Sequence, residues 1–183
     1  VFLTGGTGFI GHYVAKALLN RGHELHISTR HPEKIPSLAK EKNVIFFKGA
    51  LTDTEILQQA IQNCDACIHI ALGWGETPTT MLKNDTLATA TLLELAAQAG
   101  CKKFIIGIGG SATNDAGIGM LMALGFKFLD ENGNEVMQGG QGLSQIASID
   151  ESNVLPELAT CEFKIACDVN NPLYGEQGAA YVY

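Results

Sequence analysis

Gly5, Gly8 and Gly11 stand three residues apart in the opening stretch VFLTGGTGFIGHYVAKALL. Glycines at that spacing let a chain turn tightly, admit a pyrophosphate against bare backbone and bring a helix close to the strand before it. The chemistry of such a turn is anion holding, because the first helical amides and the helix dipole face the phosphates. A glycine triplet alone is also an ordinary loop, so the reading depends on a strand before it and a helix after it. At the end of the next apolar run stands Ser28-Thr29-Arg30, with no acid. A carboxylate there takes a ribose 2′-hydroxyl, whereas Arg suits a 2′-phosphate, so NADP is expected over NAD. The plain alternative for Arg30 is a solvated charge at a strand end.

A second concentration of polar groups lies in GIGGSATND, residues 107–115. Gly109 and Gly110 precede Ser111, Thr113, Asn114 and Asp115, and amides and hydroxyls around glycines make a nest for phosphate. The bland alternative is a tight strand-to-helix turn rich in capping residues. No Gly-Lys-Ser/Thr follows, so this is not a Walker A loop.

The elements that must position these residues follow from periodicity. Val1–Thr4 reads as a short strand, the stretch after Gly8 as a helix closed by Gly22, and Leu25, Ile27 and Thr29 as one face of the next strand. NVIFFKG is a strand, residues 53–62 a helix capped by Asp53 or Thr52, and DACIHIAL a buried strand. A helix is expected over residues 79–99, with Leu82, Leu92, Leu93 and Ala96 inward and Gly100 at its end, followed by the strand CKKFII. Strands alternating with helices predict an α/β fold, a Rossmann-like doubly wound parallel sheet of five strands. After it come a helix bearing Met120, Leu121 and Leu124, a hairpin turning at Asn132-Gly133, the strand CEFKIACDV and the loop NNPLYGEQGAA.

Composition bounds the rest. The 183 residues, 46% apolar and 17% charged, suffice for one domain or two small lobes. A net charge of −7 argues against a nucleic-acid surface, and no apolar run is long enough for a membrane span. Residues 1–105 are nearly balanced in charge, whereas the remainder holds only Lys127 and Lys164 against ten acids and has no Arg. That asymmetry suggests two modules. Five cysteines without a secretory signal fit a reducing cytoplasm, and Cys64 and Cys67, though spaced like a redox pair, read as buried thiols. The chain opens at Val1 and ends in AAYVY, so both ends are expected to be cut.

TGGTGFIG, STRHPEK, KGALTD, DACIHIA and TLLELAAQAGCKKFI, in that order, resemble the extended short-chain dehydrogenase/reductase family, also called NAD-dependent epimerases/dehydratases. The resemblance covers residues 1–105. It implies that Gly5, Gly8, Phe9, Ile10 and Gly11 line a pyrophosphate, Arg30 the ribose, and Ile70 and Ala71 the adenine and nicotinamide ribose. Ala50 replaces the family's usual adenine-contacting Asp, and Asp85 a common Asn. That family works with a Tyr whose pKa is lowered by a Lys four residues on. Tyr13, Tyr174, Tyr181 and Tyr183 have no such partner, so hydride transfer of that kind is not encoded.

From residue 106 onward, GIGGSATNDAGIGMLMALG, FLDENGNEV and CDVNNPLYGEQGAAYVY resemble the bacterial glycerate kinases of type 1. The resemblance implies phosphoryl transfer from ATP with Mg²⁺. Gly109, Gly110, Ser111, Thr113, Asn114 and Asp115 would form one wall of the cleft, and Asp168, Asn170 and Asn171 another. Asp115 and Asp168 are the implied catalytic carboxylates, holding Mg²⁺ or orienting the attacking hydroxyl. No resident protein-bound metal is expected. The seam falls inside a strand, between KKFI and IIGIGG, as in a chimera of two lobes, 1–105 and 106–183. Three readings follow: a dinucleotide-binding lobe without catalysis, a glycerate kinase whose first lobe is replaced, or an inactive composite. The expected partner is a small-molecule nucleotide; the oligomeric state stays open.

Overall fold

The computed structural model describes residues 1–71, 77, 80, 84, 87–108, 115–167, 170, 172 and 174–178. Gly109, Gly110, Ser111, Thr113, Asn114, Asp168 and Asn171 lie outside the described residues, as do Leu82 and Asp85. The chain divides into two compact units, Val1–Gly107 with Glu157–Ala166, and Ile108–Pro156 with Cys167–Tyr183.

The first unit is built on β1 (Phe2–Thr4), α1 (Phe9–Leu19), β2 (Leu25–Thr29), β3 (Val44–Lys48), α2 (Thr54–Ile61), β4 (Ala66–His69), α3 (Ala88–Gln98) and β5 (Lys103–Ile108). β1 pairs in parallel with β2 and β4, β2 with β3, and β4 with β5. The strand order is therefore 3-2-1-4-5, and the direction of winding reverses at β1, where open α/β sheets place their ligand crevice. Alternation along the strands puts Leu3, Leu25, Ile27 and Ile68 on one face, clustered with Ala15 of α1. The opposite face carries His26, whose Nδ1 lies 2.7 Å from the Ala60 carbonyl of α2, and His69, whose Nε2 lies 2.9 Å from Thr89 Oγ1 of α3. Helices thus cover both faces, the doubly wound arrangement expected from the alternation of elements. Asp53 caps α2 by accepting the Ile56 amide, and Leu92, Leu93 and Ala96 of α3 are fully buried.

Within the sequence strand CEFKIACDV, β8 (Glu162–Cys167), the last strand in chain order among the described residues, forms the edge of this same sheet beside β5. The Glu162 amide donates to the Lys102 carbonyl at 2.8 Å. That bond joins the starting residues of both strands, so the two run in the same direction.

The second unit holds α4 (Ile118–Ala123), β6 (Lys127–Leu129) and β7 (Ser148–Asp150), around Ile118, Phe128 and Val136. The expected hairpin turn forms, with Gly133 at φ +81 and Asp130 accepting the Asn132 and Asn134 amides. Its return limb is reduced to a bridge between Leu129 and Glu135, and the antiparallel partner of β6 is β7. Gly139, at φ +96, diverts the chain after Val136 into a 3-10 segment, Gly140–Gln145, before it comes back as β7.

Candidate nucleotide and phosphate sites

The glycine turn sits at the carboxyl ends of β1 and β4. Gly8 N–H donates to the Gly5 carbonyl at 2.9 Å, closing the turn, and His12 N–H to the Gly8 carbonyl at 3.0 Å, opening α1. Gly5 adopts φ +71, and a Cβ there would lie 2.7 Å from Ala71 N and 2.8 Å from Ile70 C. Ile70 and Ala71, expected beside a cofactor, are thereby held against the turn by backbone contact. A Cβ on Gly11 would meet Gly5 C at 2.7 Å and Gly6 Cα at 2.8 Å, so the helix packs on the turn as closely as backbone allows. Around Gly8, among the described residues, only the Gly5 carbonyl, 3.3 Å from an ideal Cβ, lies near.

Gly8 is an extended N-cap with no side chain over the helix end, and the first turn of α1 carries no acid. The amides of Phe9, Ile10 and Gly11 belong to that first turn, which has no intrahelical acceptors to offer them. Phe9 and Ile10 point their side chains to solvent, 82% and 61% exposed. Two hydroxyls tie the end of β2 to the turn: Thr7 Oγ1 and Thr29 Oγ1 are 3.2 Å apart, and Thr29 Oγ1 accepts the His31 amide. Arg30 follows directly and is exposed. The arrangement offers a tight turn, bare backbone at Gly8 and a cation at the neighbouring strand end. These suit a nucleotide diphosphate.

Beneath the turn runs a buried polar chain that periodicity did not single out. Thr4 Oγ1 lies 2.6 Å from His69 Nδ1, and His69 Nε2 lies 2.9 Å from Thr89 Oγ1. Thr4 Oγ1 also accepts the Ala71 amide at 3.4 Å. The chain locks β1, β4 and α3 together just below Gly5. The signal available in the sequence was a histidine inside the apolar run CIHIAL. His12 Nδ1, on α1, is buried and has no hydrogen-bond partner among the described residues.

Cys64 and Cys101 lie at the other end of the sheet. Cys64 and Cys101 precede β4 and β5, and Cys101 Sγ donates to the Cys64 carbonyl at 2.9 Å. Burial pushes the Cys67 thiol well above the ordinary range and, with nearby Cys64, raises Cys101 to about 12. Such thiols are poor nucleophiles, as expected of packing residues.

In the second unit, Asp115 is buried, and both carboxylate oxygens hold the start of α4. Oδ1 accepts the Gly117 amide and Oδ2 the Gly119 amide, each at 3.0 Å. Ala116 at φ 55 and Gly117 at φ 82 bend the chain between them. A carboxylate retains further lone pairs, so this cap leaves acceptor capacity on the side facing away from the helix. Asn170 is exposed. Among the described residues no three His, Cys, Asp or Glu side chains group as metal ligands. No helix among the described residues is long and apolar enough to cross a membrane.

Comparison with known proteins gives two kinds of relative. The glycerate kinase of Halalkalibacterium halodurans is 38% identical over 156 residues, 81% of this chain and 41% of that protein. The glycerate kinase of Bacillus subtilis is 50% identical over 98 residues, 54% of this chain and 26% of that protein. The chain thus spans less than half the length of either. A 3-beta-hydroxysteroid dehydrogenase of Mycolicibacterium neoaurum is 31% identical over 114 residues, 57% of this chain and 30% of that one. Among solved structures, gox2253 superposes with a TM-score of 0.52 at 32% identity, over 61% of this chain and 34% of its own. A UDP-glucose 4-epimerase does so at 0.57 and 20% identity, over 91% of this chain and 50% of its own, which bears on the fold alone. The family model for the glycerate kinases runs from residue 5 to residue 183, through both units. The chain belongs to the glycerate kinase family.

Proposed function

We propose that the chain serves ATP-dependent phosphoryl transfer to glycerate, the activity its curated relatives are named for. The observation that carries this reading is the family match from residue 5 to 183, which takes in both GIGGSATND and DVNN. Asp115 and Asp168 are the carboxylates for that reaction, orienting the glycerate hydroxyl or holding Mg²⁺. Gly109, Gly110, Ser111, Thr113 and Asn114 are the residues assigned to supply amides and hydroxyls to the transferred phosphate, together with Asn170 and Asn171. Asp115 or Asp168 would hold Mg²⁺, which would supply positive charge to neutralise the ATP phosphates. Glycerate-dependent ADP formation from MgATP, followed in a coupled assay, tests the reading. ADP formation that is lost in Asp168→Ala supports it, and its absence at millimolar glycerate in the wild type overturns it.

A specific observation favours a second role for the first unit. The Gly5–Gly11 turn, with Arg30 at the next strand end, has the backbone approach a dinucleotide requires, and the dehydrogenase relative aligns over more than half of this chain. In this reading the unit binds NADP, or NAD less tightly, without hydride transfer, since neither Tyr13 nor Tyr174 has a Lys four residues on. The chain then joins two family segments, one holding a dinucleotide and the other bearing the kinase loops. Quenching of NADPH fluorescence, compared with NADH, tests it. Tighter NADPH binding that weakens in Arg30→Ala supports the role, and equal affinity for both in the wild type removes Arg30 from it.

A further inference from the structure

We infer that β8 is a pairing edge for a second copy of this chain, joined antiparallel about a twofold axis through Phe163. β8 closes one side of the six-stranded sheet, with no strand beyond it among the described residues, and all six of its residues are exposed. Phe163 and Ile165 are 40% and 51% exposed, although Phe163 stacks on Phe104 at 4.8 Å. An edge of this length carrying apolar side chains is a template for another strand.

The occupant follows from hydrogen-bond parity and charge. The Glu162 amide points inward, to the Lys102 carbonyl. Backbone groups alternate along a strand, so those of Phe163 and Ile165 point outward, away from β5. An antiparallel partner must exchange its bonds through these outward residues. Pairing Phe163 with Phe163 of the second copy does so, and it sets Glu162 opposite the second copy's Lys164 twice, once on each side of the axis. Both fall in non-hydrogen-bonded pairs, where side chains approach most closely. The neighbouring registers of allowed parity do the reverse: one sets Glu162 against Glu162, the other Lys164 against Lys164. Of these three registers charge selects the one centred on Phe163, which is self-complementary, the mark of an isologous interface. Lysine on an edge strand normally discourages pairing, but here Glu162, 3.1 Å from Lys164 within the same strand, provides its counterpart across the axis. The opposite edge, β3, carries only Lys48 and has no such reciprocity.

Sedimentation equilibrium of the whole chain, from low to high micromolar concentration, tests the proposal. The wild type is expected to dimerise reversibly. Lys164→Glu sets four carboxylates together at the axis and raises the dimer Kd by at least about tenfold. The charge swap Glu162→Lys with Lys164→Glu restores dimerisation to within about threefold of the wild type. Both side chains are exposed, so the variants keep the fold, which far-UV circular dichroism checks. A wild type that stays monomeric throughout, or a dimer indifferent to Lys164→Glu, overturns the proposal.

Discussion

Replacing Gly11 by Ala sets two opposed effects against each other in one residue. In a helix interior Ala is ordinarily better than Gly by about 0.5–1 kcal/mol, so propensity alone predicts stabilisation. The structure predicts the reverse. The new Cβ would stand 2.7 Å from Gly5 C and 2.8 Å from Gly6 Cα, all backbone, where carbon pairs settle at about 3.5–4.0 Å. Relief requires α1 to withdraw from the turn by roughly 0.5–1 Å. Overpacking of that kind costs about 1–3 kcal/mol. The turn itself opens, so the loss also reaches the Gly8–Gly5 hydrogen bond. Net of the propensity gain the cost is up to about 2.5 kcal/mol, which for a chain of this length lowers Tm by up to roughly 10 °C. Gly6→Ala is the internal control: its Cβ meets only side-chain ends, Ile27 Cγ2 at 3.0 Å and Leu3 Cδ2 at 3.1 Å, which can give way. Thermal unfolding followed by far-UV circular dichroism compares the two. A Gly11→Ala variant as stable as the wild type, or more stable than Gly6→Ala, refutes the claim that the turn is packed backbone to backbone.

Asp115→Ala removes the acceptor for two amides at the head of α4 and is expected to cost about 1–3 kcal/mol, read as a lowered Tm. Asp115→Asn keeps one oxygen and recovers part of that loss; if Asp115 also acts in phosphoryl transfer, glycerate-dependent ADP formation stays abolished in the Asn variant despite the recovered Tm. For Cys101, burial raises the thiol to about 12 from an ordinary 9.0, so the folded chain keeps a proton that the unfolded chain releases. Its contribution to stability is complete below pH 9 and is lost as pH rises from about 9 to 12; a Tm–pH profile should fall in that window and fall less steeply in Cys101→Ala, where buried Cys67 still contributes.

The elements around the glycine turn were legible because their determinants are local. Gly5, Gly8 and Gly11 specify the turn within seven residues, Leu25 and Ile27 mark one face of β2 by simple alternation, and Asp53 caps α2 from the adjacent position. Partners far apart in sequence were not legible. EFKIAC announces a strand, but nothing in its pattern says that it pairs with β5, some sixty residues earlier, in the first sheet. β7 is three residues long and supplies no period, so β6 was expected to pair across the nearby Asn132-Gly133 turn. The link from Thr4 through His69 to Thr89 spans separations of 65 and 20 residues, and neither threonine carries a signal of its own. Asp115 was legible as a capping residue or a catalytic one from type alone; its two amide partners appear only when the backbone bends at Ala116 and Gly117.

The central claim is that the bare backbone at Gly8 receives a nucleotide's diphosphate. Isothermal titration of the wild type and Gly8→Ala with MgATP and with NADPH tests it most directly. Since a Cβ at Gly8 meets, among the described residues, only the Gly5 carbonyl at 3.3 Å, the variant should keep its fold while the methyl occupies the phosphate's place. Saturable binding of at least one of the two nucleotides to the wild type is expected, weakened at least about tenfold in a folded Gly8→Ala protein. Equal affinity in the two proteins, or no binding of either nucleotide to the wild type at millimolar concentration, contradicts it.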